Sequence, residues 1–150
     1  MFATCRELVI RQRAGVTGAQ AKARGLKYPT RAQRNANPGN VRERRDRTNR
    51  PYPRSGGYVD FVAWASDSSP GASLAELGQK ALAEGWRVLR NLVSQYLDGK
   101  YTGGKAPTLR EMFAVYAPTS DRNDPEAYAQ FVAKELDVSA AAPLDDLVNA

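Results

Sequence analysis

The sequence predicts a small, mainly α domain (α+β with minor β) with one or two short strands and an extended basic N-terminal arm. Three observations carry that expectation. Residues 1–54 hold 14 lysines and arginines against 3 acids, and residues 55–150 hold 8 against 13, so a basic arm adjoins a mildly acidic body within a net charge of +6. Residues 28–57 contain four of the nine prolines together with Gly39, Gly56 and Gly57, which disfavours regular helix there. Beyond them, apolar residues recur at helical spacing in three stretches, two of them opened by Ser/Thr-x-x-Glu capping boxes.

Residues 4–13 place Cys5, Leu8 and Val9 on one helical face, with Glu7 early and Arg11 and Arg13 late, as the helix dipole favours. A second short helix is expected over 17–24, stopping at Gly25. Helices this short are marginal alone and need a packing partner. Asn37-Pro38-Gly39-Asn40 reads as a type II turn, with Pro38 setting φ and Gly39 accepting a positive φ. Asn37 and Asn40 are expected to lock it by side-chain to backbone bonds. Residues 58–64 alternate Tyr58, Asp60, Val62 and Trp64 with Val59, Phe61 and Ala63, and read as a strand followed by a loop over 66–72.

The Ser73/Glu76 capping box opens a long helix over 71–98, with Leu74, Leu77, Ala81, Leu82, Trp86, Leu89, Val93 and Tyr96 at helical spacing and a stop at Gly99. A flexible, Gly-rich connection follows over 101–107. Thr108/Glu111 form a second capping box before a helix carrying Leu109, Met112, Phe113 and Tyr116, which Pro118 ends. Asp124 caps a further helix with Pro125 in its first position and Tyr128, Phe131, Val132 and Leu136 as the expected buried stripe. Leu144 and Leu147, after Pro143, are expected to close against the body.

Composition narrows the chemistry. With no histidine, Ser-His-Asp triads, Cys-His pairs and zincin sites are absent, and catalysis would rest on carboxylates, lysine or tyrosine. Cys5 stands alone, so no internal disulfide forms, and its expected role is a small buried apolar residue. No window reaches the roughly 18 apolar residues of a membrane span, and Arg6 and Glu7 interrupt any secretory pattern; a soluble chain made in a cytoplasm is expected.

Asp121, Asn123 and Asp124 suggest a calcium loop, but Glu126 and Val132 occupy the positions that need Gly and Glu. Gly103-Gly104-Lys105 lacks phosphate-loop spacing. Trp64, Trp86, Tyr58, Tyr96 and Tyr128 are expected in the core rather than along a sugar-binding groove. No cofactor and no metal are expected.

The segments Asn35-x-Asn-Pro-Gly-Asn-Val-Arg42, Phe61-Val-Ala-Trp64, Gly85-Trp-Arg-Val-Leu89, Tyr116-Ala-Pro118 and Asp121-Arg-Asn-Asp-Pro-Glu-Ala-Tyr128 together resemble a family of small bacteriophage and prophage virion structural proteins. The resemblance spans residues 33–147. Family members often carry a Trp-Gly pair after the turn, where this chain has Tyr52, Pro53, Gly56 and Gly57. It implies a virion protein made in the host cytoplasm and assembled in many copies at the capsid, head-to-tail or tail region. Its partners would be other virion proteins in a symmetric assembly, with no membrane and no small-molecule substrate.

In that reading residues 1–54 are the arm and 55–150 the body. Arg31, Arg34, Arg42, Arg44, Arg45, Arg47, Arg50 and Arg54 are the candidate partner-binding residues, and Asn35, Asn37, Pro38, Gly39 and Asn40 the motif. The arm could instead lie on nucleic acid or be a solvated tail; an acidic protein surface is preferred because aromatic interleaving for single strands is missing.

Some related modules are similar to lysozyme-like cell-wall enzymes, which implies an alternative as a peptidoglycan hydrolase. Glu76 and Glu84 are separated by about 12 Å of helical rise, against the roughly 5 to 9.5 Å a two-carboxylate glycosidase needs. Glu84 or Glu111 remains as a single proton donor for a transglycosylase, each with a structural alternative, a solvated charge or a cap. A DNA-contacting packaging or ejection protein is the third reading.

Overall fold

Asp60 decides the first helix. Its carboxylate accepts a hydrogen bond from the Ala63 N–H at 3.0 Å, satisfying one of the donors that a helix N-terminus leaves open. From that cap α1 runs Phe61–Ser68, burying Phe61, Val62 and Ala65. The computed structural model, which describes residues 35–145, thereby corrects the strand expected over 58–64 and the loop expected from 66. Only Tyr58–Val59 (β2) is extended, pairing antiparallel with Arg54–Ser55 (β1) in the register Arg54↔Val59 and Ser55↔Tyr58. Gly56 (φ 59°) and Gly57 (φ 83°) supply the two positive φ values that a two-residue hairpin turn of the right twist requires.

The protein is small and mainly α, as expected from the sequence. Among the described residues, α1 is followed by α2 (Leu74–Leu97), α3 (Leu109–Tyr116), a 3₁₀ turn (Thr119–Asp121) and α4 (Pro125–Leu136). These residues fall into two compact units divided within α2, one through Leu89 and one from Arg90. Residues 35–54 pack inside the first unit rather than apart from it: the buried Tyr52 ring meets Phe61 edge-on at 5.0 Å and Trp64 at 5.8 Å. The helices expected over 4–13 and 17–24 lie outside the described residues.

The α2 capping box forms as expected, with Glu76 N–H donating to Ser73 Oγ at 3.2 Å and Ser73 N–H to Glu76 Oε2 at 2.7 Å. Its buried stripe is rotated from the expected one. Leu77, Ala81, Gly85, Val88, Leu92 and Tyr96 are buried, while Leu74 is exposed and Leu82, Trp86, Leu89 and Val93 are half-buried. The spacing of four, four, three, four and four residues is a single helical face.

In the second unit Gly99 (φ 75°) ends α2, and a Cβ there would lie 2.6 Å from both Gly104 C and Lys105 O. The segment 101–107 is not an open connection. It folds back through Gly104 N–H to Gly99 O at 2.9 Å and Thr102 Oγ1 to Lys105 O at 2.7 Å.

Thr108 and Glu111 cap α3 reciprocally, and Asp124 Oδ1 accepts from Ala127 N–H at 3.0 Å to start α4. α3 packs on α4, yet α4 reverses the expected stripe: Ala129 and Ala133 are buried, and Tyr128, Phe131 and Leu136 are 47%, 64% and 55% exposed. Tyr128 stacks on Phe113 with ring centroids 5.7 Å apart. Leu144 is buried and its N–H bonds Pro107 O at 3.0 Å, closing the chain as expected; Leu147 lies outside the described residues.

Candidate functional site

Asn37 holds the turn from inside. Its Nδ2 donates to Val41 O at 2.9 Å and to Val59 O at 3.1 Å, and its Oδ1 accepts from Val41 N–H at 2.9 Å. The side chain is 1% exposed, so all three bonds are shielded from water. Asn35 is buried beside it; its carbonyl accepts the Phe61 N–H at 3.0 Å, tying the turn to the start of α1.

Asn40 N–H closes the turn on Asn37 O at 3.1 Å, but the expected type II geometry is corrected. The left-handed residues are Ala36 (φ 50°) and Asn40 (φ 47°), not Gly39. Asparagine accepts that conformation more readily than most residues, which explains its place after the Pro-Gly pair.

Gly85 of α2 receives this turn. A Cβ there would stand 2.9 Å from Pro38 Cδ and 3.3 Å from Ala36 C, and would overlap the Ala36 carbonyl oxygen. The turn therefore crosses the helix at backbone distance.

One residue before that crossing, Glu84 meets Arg87 and Tyr52. Arg87 Nε donates to Glu84 Oε2 at 2.9 Å and Arg87 Nη2 to Glu84 Oε1 at 2.7 Å, a forked pair. The Tyr52 hydroxyl donates to Glu84 Oε1 and accepts from Arg87 Nη2 at 3.1 Å. The Arg87 hydrogen bond, helped by that of Tyr52 and opposed by burial, holds the Glu84 carboxyl below the usual carboxylate range. Burial and then Glu84 push the Tyr52 phenol up.

Such a carboxylate is ionised, shielded and already hydrogen-bonded. A transglycosylase acid needs the opposite shift, upward toward neutrality. Glu111 is occupied too, accepting from Thr108 N–H at 2.8 Å as the second half of its capping box.

The arginines lie on an ordered loop. Asp46 Oδ1 accepts from Thr48 N–H at 2.8 Å, Thr48 Oγ1 at 2.7 Å and Arg50 N–H at 3.0 Å, and these bonds lower its pKa, that of the Thr48 side chain most. Asp46 N–H to Arg50 O at 2.8 Å and Tyr52 N–H to Arg44 O at 3.0 Å close the base, with an antiparallel bridge between Arg45 and Pro51.

Arg42, Arg45, Arg47, Arg50 and Arg54 are exposed and Arg44 is half-buried. Arg42 lies over the Tyr58 ring at 5.6 Å, and Arg45 Nη1 donates to Asn49 O at 2.8 Å. Arg31 and Arg34 fall outside the described residues.

The structure thus brings Asn35 to Asn40 and Glu84 into one unit with the arginine loop. Tyr52, Arg87, Asp46 and the role of Gly85 escape the sequence reading. The three-residue spacing of Glu84 and Arg87 is a legible helical ion pair, whereas nothing local signals Tyr52, 32 residues away. Among the described residues no cluster of His, Cys, Asp or Glu has metal-site geometry. No family model, no curated protein and no solved structure matches the chain.

Proposed function

We propose that the protein is a non-enzymatic structural subunit of a virus particle, present in many copies, whose arginine loop docks on an acidic surface of a neighbouring virion protein. The observation that carries this reading is the Asp46-organised loop. It presents Arg45, Arg47 and Arg50 exposed from a closed backbone, with Arg42 and Arg54 exposed just outside its base, while the shielded carboxylate of Glu84 is neutralised internally by Arg87. Surface arginines in a fixed array suit bidentate recognition of carboxylates. The resemblance of the Asn-Pro-Gly-Asn turn and its companion segments to phage virion proteins gives the setting.

Reversing charge at Arg45, Arg47 and Arg50 together tests it, since all three are exposed and no core contact is lost. Circular dichroism of the triple glutamate variant should match the native chain, and particles assembled with the variant should lack it. Normal incorporation would refute the loop's role. Retention of the native chain, but not the variant, on duplex DNA with a steep salt dependence would move the assignment to a nucleic-acid contact.

A further inference from the structure

α4 is built with its faces reversed. The side turned inward carries Ala129 and Ala133, at 0% and 3% exposure, and the side turned outward carries Tyr128, Phe131 and Leu136, at 47%, 64% and 55%. Large apolar side chains gathered on an outer face mark a contact surface, whereas singly scattered ones do not. Glu135 lies on the same outer arc, between Phe131 and Tyr128 on the helical wheel, and is exposed. From residue 90 onward the chain holds nine acids against six bases.

The first 34 residues have the complementary character. They hold eight bases and one acid, and the helix that the sequence leads one to expect over 4–13 would set Cys5, Leu8 and Val9 on one face beside Arg6, Arg11 and Arg13. An apolar strip flanked by arginines fits an apolar helix face that carries a glutamate.

We infer that the outer face of α4 receives residues 4–13 of a second copy of this chain, the apolar strip covering Tyr128, Phe131 and Leu136 and an arginine meeting Glu135. This inference rests on the multi-copy reading above and names one of its contacts. Because donor and acceptor surfaces differ, the contact closes a pair only by reciprocal exchange of the two segments; otherwise, repeated head-to-tail, it generates a ring or a filament.

Two full-length chains with one cysteine each test it. One is the native chain, with Cys5; the other carries Cys5→Ser and Phe131→Cys. Mixed and mildly oxidised, they should give a disulfide-linked heterodimer on a non-reducing gel. Replacing the second chain by one with Cys5→Ser and Gln130→Cys, exposed on the side of α4 away from Tyr128, should give none.

Absence of the Phe131→Cys heterodimer, or equal yield from both chains, overturns the inference. A chain carrying both Cys5 and Phe131→Cys that closes only on itself also overturns it, because the arm would then cover its own α4. If the heterodimer fails while the loop's charge reversal still blocks incorporation, this contact falls and the structural-subunit reading stands.

Discussion

Replacing Gly85 by alanine should damage the fold far more than its one added methyl suggests. The new Cβ would sit 2.9 Å from Pro38 Cδ and inside the Ala36 carbonyl oxygen. Neither neighbour yields easily: Ala36 is backbone, 2% exposed, and the next residue is anchored by the three buried Asn37 bonds. Overpacking of a core site costs about 1–3 kcal/mol, and an immovable backbone neighbour places Gly85→Ala near 3. For a chain of this size that lowers Tm by about 6–12 °C.

Gly78 supplies the control on the same helix. A Cβ there meets nothing within 4 Å, so Gly78→Ala should stabilise by about 0.5–1 kcal/mol through helix propensity. Urea and thermal unfolding of both variants measure the contrast. If Gly85→Ala melts within about 2 °C of the native protein, the close crossing of turn and helix is refuted.

Other outcomes follow from the same geometry. Asn37→Ala leaves the Val41 N–H and the Val41 and Val59 carbonyls without their side-chain partner and should cost about 3 kcal/mol or more in urea unfolding. Because the folded pKa of Glu84 lies below its ordinary 4.5, its contribution is complete above that value and lost as pH falls through the folded pKa. Glu84→Gln should therefore flatten the acid limb of the stability–pH curve. Asp60→Ala should lose about 1 kcal/mol if residues 61–68 are helical as described, and nothing if they form a strand. Arg110→Ala, which removes the exposed pair with Glu126, should leave the melting temperature unchanged.

The parts legible in the sequence are those written in short spacings. Ser73/Glu76, Thr108/Glu111 and Asp124-Pro125 open three helices where expected, because each cap is a local hydrogen-bond pattern. The same logic, applied to Asp60, would have turned the 58–64 strand into a helix start; aromatic and β-branched composition outweighed it, and β-propensity depends on context. On α4 periodicity singled out the bulky stripe of Tyr128, Phe131, Val132 and Leu136, whereas close packing against α3 buries Ala129 and Ala133. In the site, the Asn35–Asn40 motif was visible as a unit. Its meeting with Gly85, and that of Tyr52 with Glu84, joins residues dozens of positions apart, which no local pattern encodes.

The three bonds to Asp46 also bear on the thermodynamics of any encounter. Ordering a flexible segment costs roughly 1–2 kcal/mol of backbone entropy per residue. Between Arg44 and Tyr52 that cost has been met on folding, because the base bonds and the Asp46 carboxylate already hold the backbone. A partner therefore meets arginines whose remaining freedom is in their side chains. Association of this loop should show a small unfavourable entropy and a rate set by diffusion and charge.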